Sequence, residues 1–346
     1  MEDFGSWSVL TTNFLIILYI ALGGVTLSSV LHLCNGQWRF QVRNLACSFA
    51  ALFPIAGVLL LILLANGDAT FQWKATAHDE GVHLNGWHNY AFLVSREILG
   101  FIAVVTLYGL FIKYQHLSEV DKSYKTQRRF RNIALLIPFA YFGYGSMVAW
   151  DFEMTMVPNW HSASYAAYHF QSGFHMFLAV FTIFLYFLYN SGKLTKPFQP
   201  YIFNYMAQFM LAMTILWTYL YFTQYLIMWY GRLPEEMHRF NSMMLEGFGP
   251  LWWTFLFLKF IFPFVTLIFT GNRHNPTIIT MVAFSIALGY WIERYTWIAG
   301  SVDSQYYHYP MTSMFDFIVT LAVFGAAWWA MQKTLQRYGL VRGSTT

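Results

Sequence analysis

Long apolar stretches alternate with short polar connections along the whole chain. A bilayer core about 30 Å thick requires about 20 apolar residues per helix. Stretches of that length occupy residues 9–33, 44–65, 90–113, 131–152, 163–190, 202–230, 247–270, 276–299 and 311–335. The pattern therefore predicts an all-α polytopic membrane protein with nine transmembrane helices, forming a single integral membrane domain over residues 1–346.

The composition favours lipid as the main solvent of the chain. Charged residues make up 10% of its 346 residues and hydrophobic residues 57%, whereas soluble domains contain about 25% charged residues. So few charges cannot cover a surface that faces water. The N-terminal Met-Glu-Asp is acidic, and a cleavable signal peptide needs a basic n-region, so we expect the first helix to be retained.

Basic residues favour one side of the nine-helix topology. Short cytoplasmic loops are usually enriched in Lys and Arg. The basic residues of one side are Arg39, Arg43, Lys113, Lys122, Lys125, Arg128, Arg129, Arg131, Lys193, Lys196, Arg273, Lys333, Arg337 and Arg342. The acids of that side are Glu119 and Asp121. We therefore expect the N-terminus outside and the C-terminus in the cytoplasm.

Ionisable residues within or near the predicted helices gather toward the outer side. Such residues are costly in a membrane and usually mark a function or a buried ion pair. They are Glu97, Asp151, Glu153, Glu235, Glu236, Glu246, Glu293, Asp316, Arg96, Arg232, Arg239 and Arg294. One interpretation is structural pairing of opposite charges. The other is a proton-accepting rim, because quinol oxidation on the outer side would release protons there.

The same two interpretations apply to polar residues deeper in the membrane, namely Lys259 and one face of the fifth helix. Lys259 lies about 12 residues, or about 18 Å, from either end of the seventh helix, so its ammonium needs a structural partner or belongs to a proton path. Tyr168, Gln171 and His175 lie at i, i+3 and i+7 and share one helix face. They either hydrogen-bond across the bundle or line a quinone pocket or water wire. His169 is predicted to point elsewhere.

The residues do not predict a redox cofactor bound by this chain. Cys34 and Cys47 are its two cysteines, too few for a zinc or iron–sulfur cluster, and we expect free thiols. His161 and His175 lie about 21 Å apart along a helix, which suits two stacked haems only if a second helix supplies a matching pair. The other helices lack one. Motifs for nucleotide hydrolysis, zinc proteolysis and serine hydrolysis are also absent.

The end of the fourth helix resembles a known family. Residues 149–162 read Ala-Trp-Asp-Phe-Glu-Met-Thr-Met-Val-Pro-Asn-Trp-His-Ser. They are similar to the pattern D-W-x-M-S-L-x-P-H-W-[FY]-S of ActC and ActF, the NrfD-like membrane subunits of bacterial alternative complex III. Asp151, Met154, Pro158, Trp160 and Ser162 stand at matching places.

Two further stretches carry the same resemblance. Residues 222–236 read Phe-Thr-Gln-Tyr-Leu-Ile-Met-Trp-Tyr-Gly-Arg-Leu-Pro-Glu-Glu, similar to the family's F-S-Q-Y-x-L-I-W-Y-x-N-[IL]-P-E-E. Residues 289–295 resemble G-H-W-[LI]-D-x-Y more weakly. The chain departs from the family at Val157, Asn159, His161 and Tyr290, and it begins where the family's second helix normally begins. These departures favour a diverged ActF-like subunit.

The resemblance implies a subunit of the bacterial inner membrane without redox centres of its own. Its helices would form two four-helix bundles, residues 9–152 and 163–299, with a ninth helix, 311–335, flanking them. Its partners would be an ActC-like membrane subunit, a peripheral iron–sulfur subunit and c-type haem subunits, besides lipids. The complex would oxidise quinol and pass electrons to a cytochrome c or an oxidase. A bound quinone is possible, and nucleic acid is not expected.

These arguments define a set of candidate site residues. The outer loop with Glu235 and Glu236 is expected to face partner subunits, and no catalytic or metal-binding residue is expected. The candidates for a proton path or for quinone-proximal positions are Asp151, Glu153, His161, Tyr168, Gln171, His175, Gln224, Lys259, Glu293 and Asp316.

Two other functions stay open at this level. One is a quinone-binding anchor of a molybdenum and iron–sulfur enzyme similar to polysulfide reductase, which would share the fold. The other is an ion-coupled transporter that acts alone. The sequence shows no pair of interrupted helices in corresponding halves, which transporters often have.

Overall fold

The computed structural model describes residues 4–74, 84, 86–300 and 309–342, except the side chains of Phe4 and Glu235. The regular elements of this part are helical, and nine helices in it are long and apolar enough to cross a membrane. In chain order, α1 to α9 span Gly5–Leu33, Arg39–Ala65, Tyr90–Val120, Tyr124–Met156, Tyr165–Ser191, Tyr201–Tyr230, Gly249–Ile268, Pro276–Ala299 and Met314–Arg337. The predicted all-helical fold, with nine helices of membrane-spanning length, is confirmed for these residues.

Several helices extend beyond their apolar stretches because polar caps and backbone hydrogen bonds continue past the apolar boundary. At the start of α3 the Asn89 side chain accepts a hydrogen bond from the Phe92 amide. At the start of α4 the Ser123 hydroxyl accepts one from the Thr126 amide. Such caps satisfy amides that have no partner within the helix. Consequently α4 begins at Tyr124, well before the apolar stretch begins.

Helix α1 lies at the centre of the bundle. It is buried along nearly its whole length and contacts α2, α4, α5, α8 and α9. A Cβ atom at Gly24 would lie 2.1 Å from the carbonyl oxygen of Ala46, so only glycine permits this approach of α1 and α2. Helix α5 contacts α1, α4, α6 and α8, and α9 packs on α1 and α2. The division into two four-helix bundles remains a prediction.

Helices α2 and α7 each contain a local change of helical pitch within the membrane span. Helix α2 has a 3₁₀ segment at Ser48–Leu52, and α7 has a π-helical turn at Phe257–Ile261. Proline lies in the first turn of the segment that follows each one, where its missing N–H removes a helical hydrogen bond. Helices α2 and α7 both continue through these segments. The π-turn carries Lys259, and such turns occur frequently at functional sites.

The face on which α1 begins is called the N-face, and the opposite face the C-face. After α6 the chain forms a short helix, Pro234–Leu245, in a segment that the sequence analysis treated as a loop. This surface helix turns the buried side chains of Phe240 and Met243 toward the bundle. It therefore covers the N-face ends of the helices that hold the charged residues described next.

Candidate functional site

Glu293 of α8 is a fully buried carboxylate surrounded by donors from four helices. The ammonium of Lys259 in α7 forms an ion pair with its Oε2, and the guanidinium of Arg294 lies 3.0 Å from its Oε1. The other donors are the hydroxyl of Ser172 at 2.8 Å, the indole N–H of Trp217 at 2.8 Å and the hydroxyl of Tyr168. Both oxygens of this carboxylate therefore take part in ion pairs and accept hydrogen bonds.

Glu153, at the end of α4, is the second buried carboxylate of the site. Arg294 donates to its Oε2 at 2.6 Å, and the Tyr165 hydroxyl donates to the same oxygen. His169 Nε2 lies 3.3 Å from Oε1. Arg294 thus bridges Glu153 and Glu293, joining α4 to α8.

Arg239 of the surface helix closes this site toward the N-face. Its guanidinium donates at 2.8 Å to the backbone carbonyl of Glu153 and at 3.1 Å to that of Trp297. It also lies 4.6 Å from the ring centre of Trp160. Burial lowers the pKa of Arg239 from its ordinary value, but a guanidinium starts so far above neutral pH that it stays charged. The ionic cluster is defined as Glu153, Lys259, Glu293, Arg294 and Arg239.

Aromatic rings enclose the ionic cluster. The Lys259 ammonium lies 4.6 Å from the ring centre of Trp217 and 5.4 Å from that of Tyr290. The indole of Trp297 donates at 3.0 Å to the hydroxyl of Tyr168. Rings with an apolar body and a polar edge bury charge while supplying hydrogen bonds. The cluster is consequently shielded from lipid within the bundle.

A second group of buried charges lies between α3 and α4. Arg96 binds Asp151 with two hydrogen bonds, Nε to Oδ2 at 2.8 Å and Nη2 to Oδ1 at 2.6 Å. The Trp87 indole also donates to Oδ1 at 2.6 Å, and the Arg96 guanidinium lies 4.0 Å from the Trp87 ring centre. Glu97, the next residue of α3, is fully buried beside this pair. We call Arg96, Glu97 and Asp151 the α3–α4 charge group.

Other predicted site residues form hydrogen bonds outside the ionic cluster. Gln171 donates to the Met213 carbonyl at 2.8 Å, and His175 Nε2 lies 3.2 Å from the Thr214 hydroxyl. Both contacts join α5 to α6. Gln224 accepts a hydrogen bond from Ser162 at 2.9 Å. Gln171 and His175 therefore connect helices, whereas Gln224 ties α6 to the segment before α5.

The remaining candidates lie at the N-face. His161 is exposed, Asp316 is buried in the first turn of α9, and Glu236 is partly exposed in the surface helix. The carbonyl of Glu236 accepts the Trp160 indole N–H at 3.0 Å. The side chain of Glu235 lies outside the described part of the chain.

Three cavities bear on where a quinone could bind. One of about 220 Å³ lies at the N-face and is lined by His161, His88 and Trp87. One of about 410 Å³ lies at the C-face near His116 and Arg337, and an apolar groove of about 700 Å³ runs between α9 and the helices α5 and α8. Of the predicted site residues, only His161 lines any of these three.

The sequence analysis missed part of the face of α5 that binds the charges. It selected Tyr168, Gln171 and His175 and expected His169 to point elsewhere. The residues that reach the two carboxylates are Tyr165, Tyr168, His169 and Ser172. They lie at i, i+3, i+4 and i+7, which is one stripe of a helix. That spacing was a signal that could have identified the set.

No protein-family model matches the chain, and no curated protein is significantly similar to it.

Proposed function

We propose that this chain is an ActF-like membrane subunit of a quinol-oxidising complex of the alternative complex III type. In this proposal it scaffolds an ActC-like membrane subunit, a peripheral iron–sulfur subunit and c-type haem subunits, which hold the redox centres. Its own contribution is proton transfer through the ionic cluster. The motifs of residues 149–162 and 222–236 support the assembly, and the buried cluster supports the proton role.

One observation carries the proton role: three cationic side chains and two carboxylates are buried together among membrane helices. Charges in this environment are expensive and usually functional. A purely structural contact between helices is achieved at lower cost by apolar packing. In the orientation predicted from the basic loops, this cluster lies toward the side on which quinol oxidation would release protons.

The bridging position of Arg294 suggests how the cluster responds to a proton. Arg294 contacts Glu153 and Glu293 at once. A proton that binds one carboxylate neutralises it and so weakens the attraction between that carboxylate and Arg294. The other carboxylate is then the stronger partner of the guanidinium. Lys259 and His169, one beside each carboxylate, are the groups that can give or accept that proton. Arg294 itself stays charged throughout.

Separate assays of electron and proton transfer test the proposal. In the purified complex, Lys259→Met and Glu293→Gln are expected to slow proton release by about 10²-fold or more while partner subunits stay bound. Glu119→Gln, which changes an acid paired with Arg43 at the C-face, is the matched control. Unchanged proton release in both cluster variants would contradict the proton role.

Purification tests the assembly independently. The chain is expected to copurify with haem-containing subunits, and a stable monomer without them would contradict the assembly. Copurification with a pterin-containing subunit would instead indicate a polysulfide-reductase-like anchor. Ion-dependent uptake into vesicles that contain only this chain would indicate a transporter.

A further inference from the structure

The α3–α4 charge group contains two acids and one base. Arg96 donates two hydrogen bonds to the Asp151 carboxylate, and this ion pair is neutral overall. Glu97 is left without a cation of its own in this group. It is fully buried, and Asp151 is too. An uncompensated carboxylate at such a position would carry a large desolvation cost.

The surroundings of Glu97 supply few donors. Its Oε2 accepts a long hydrogen bond, 3.4 Å, from the Tyr144 hydroxyl, and its Oε1 has no hydrogen-bond donor among the described residues. Its carboxyl group lies within hydrogen-bonding reach of the Asp151 carboxyl. Two carboxylates can only accept hydrogen bonds. Contact between them is favourable only when one carries a proton.

We propose that Glu97 and Asp151 form a proton-binding site that holds one shared proton. The protonated Glu97 donates its O–H to Asp151, whose negative charge Arg96 neutralises. On release, the O–H bond of Glu97 breaks, the electron pair stays on the carboxylate and the proton passes to water. The site is distinct from the ionic cluster, and its argument rests on local charge and hydrogen bonding rather than on the proposed function.

A cavity on the N-face reaches a side chain that binds the pair. Trp87, whose indole N–H binds Asp151, lines the N-face cavity of about 220 Å³ together with His88 and His161. That volume accommodates several water molecules at about 30 Å³ each. In this proposal, protons enter and leave the pair from the N-face, past Trp87 and through this cavity.

The groups that face the pair from neighbouring elements define its electrostatic environment. They are Arg96 of α3, Tyr144 of α4, Tyr19 of α1 and His88 of the segment before α3. Burial lowers the pKa of His88, so this imidazole is neutral at neutral pH and adds no second cation. With Glu97 and Asp151 both ionised and Arg96 the one cation, the group has a net negative charge. A bound cation would neutralise it, and the proton is the smallest one.

Infrared spectroscopy of the purified protein at neutral pH tests the proposal. We expect the C=O stretch of a protonated carboxylic acid, shifted in D₂O and independent of sodium concentration. Glu97→Gln should abolish this band. Asp151→Asn should abolish it as well, because Arg96 is then free to pair with Glu97, which ionises. Glu119→Gln, the C-face control, should leave it unchanged.

Three results would overturn the proposal: no such band in the unmodified protein, a band that persists in Glu97→Gln, or a band that sodium removes at constant pH. The last result would show a metal cation in place of the proton. If Glu97→Gln does not fold, ¹³C-carboxyl labelling of glutamate in the unmodified protein replaces it, because a band that does not shift comes from no glutamate and overturns the proposal. These readouts do not depend on quinol oxidation, so they are separate from tests of the proposed function.

Discussion

The guanidinium of Arg294 in α8 lies 2.6 Å from the carboxylate of Glu153 at the end of α4, 141 residues away in sequence. Both side chains are fully buried. Arg294 simultaneously contacts Glu293, so one guanidinium holds two acids that would otherwise repel each other. This bridge connects the first four membrane helices to the later ones.

The bridge predicts a strong and non-additive effect on stability. Glu153→Gln should lower the free energy of unfolding by about 3–5 kcal/mol, because it leaves the Arg294 charge partly uncompensated inside the bundle. The double variant Glu153→Gln/Arg294→Gln should be less destabilised than the sum of the single variants. Denaturant unfolding in detergent micelles measures this coupling. Additive effects would show that the pair does not act as a unit.

The close packing of α7 on α8 at Lys259 predicts that a larger residue at Gly289 destabilises the protein. A Cβ atom at Gly289 would lie 2.6 Å from Cγ of Lys259 and 3.0 Å from Cβ of Leu258. Gly289→Ala should therefore displace α7 and lower the free energy of unfolding by about 1–3 kcal/mol. Gly325→Ala in α9 is the control, because no atom lies within 4 Å of its added Cβ. Equal unfolding midpoints for both variants would contradict this packing.

Arg239 should anchor the surface helix to the bundle. Arg239→Gln removes charged hydrogen bonds to backbone carbonyls, each worth about 1.5–3 kcal/mol. Amide hydrogen exchange in Pro234–Leu245 should then become about tenfold or more faster. Arg232→Gln, at an exposed position next to this helix, should leave exchange unchanged. Slow exchange in the Arg239 variant would mean that other contacts hold the surface helix.

The Asp121 side chain should make the stability of the α3–α4 connection depend on pH. It accepts hydrogen bonds from Thr126 at 2.5 Å and from the Ser123 hydroxyl at 2.9 Å. The Thr126 hydroxyl, with the Ser123 amide and hydroxyl, lowers the pKa of Asp121 below its ordinary value of 3.8. A lowered folded-state pKa adds stability above the unfolded value, and this stability is lost as the pH falls through the folded value.

Thermal unfolding as a function of pH measures this effect. Asp121→Asn should melt below the unmodified protein at neutral pH, and the difference should shrink as the pH falls below 3.8. Thr126→Val removes one donor and should reduce the pH dependence while retaining the carboxylate. A melting difference that stays constant with pH would contradict this assignment.

The native cysteines test the predicted orientation. Cys34 is exposed just after α1, and Cys47 is buried in α2. If the N-terminus is outside, a membrane-impermeant maleimide should label Cys34 in inverted vesicles and not in intact cells. Cys34→Ser should abolish the labelling, and Cys47 should react only after unfolding. Labelling of Cys34 in intact cells would reverse the orientation.

The pattern of apolar residues was sufficient to predict the membrane helices. Every predicted apolar stretch overlaps one of the helices α1 to α9 in the described part of the chain. This succeeds because the cost of exposing polar groups to lipid is a local property of about 20 consecutive residues. Boundaries such as Tyr124 of α4 were missed, since polar caps extend a helix beyond its apolar stretch.

The candidate site was only partly predictable. The sequence singled out Glu153, Lys259 and Glu293 because ionisable residues are rare in membrane helices. It left open whether each one has a partner, and it did not connect His169 with the charges. The bond of Trp217 to Glu293 had no signal in the sequence, because nothing in the spacing of α6 relates this ring to a residue of α8.

The sequence by itself thus determined which segments enter the membrane and which ionisable residues enter with them. Only the tertiary structure decided that Lys259 lies against Glu293, that Arg294 bridges two acids and that Glu97 lies beside Asp151. The physical reason is that hydropathy acts along the chain, whereas ion pairing requires side chains from distant helices to lie within about 4 Å of each other. Helix packing sets those distances.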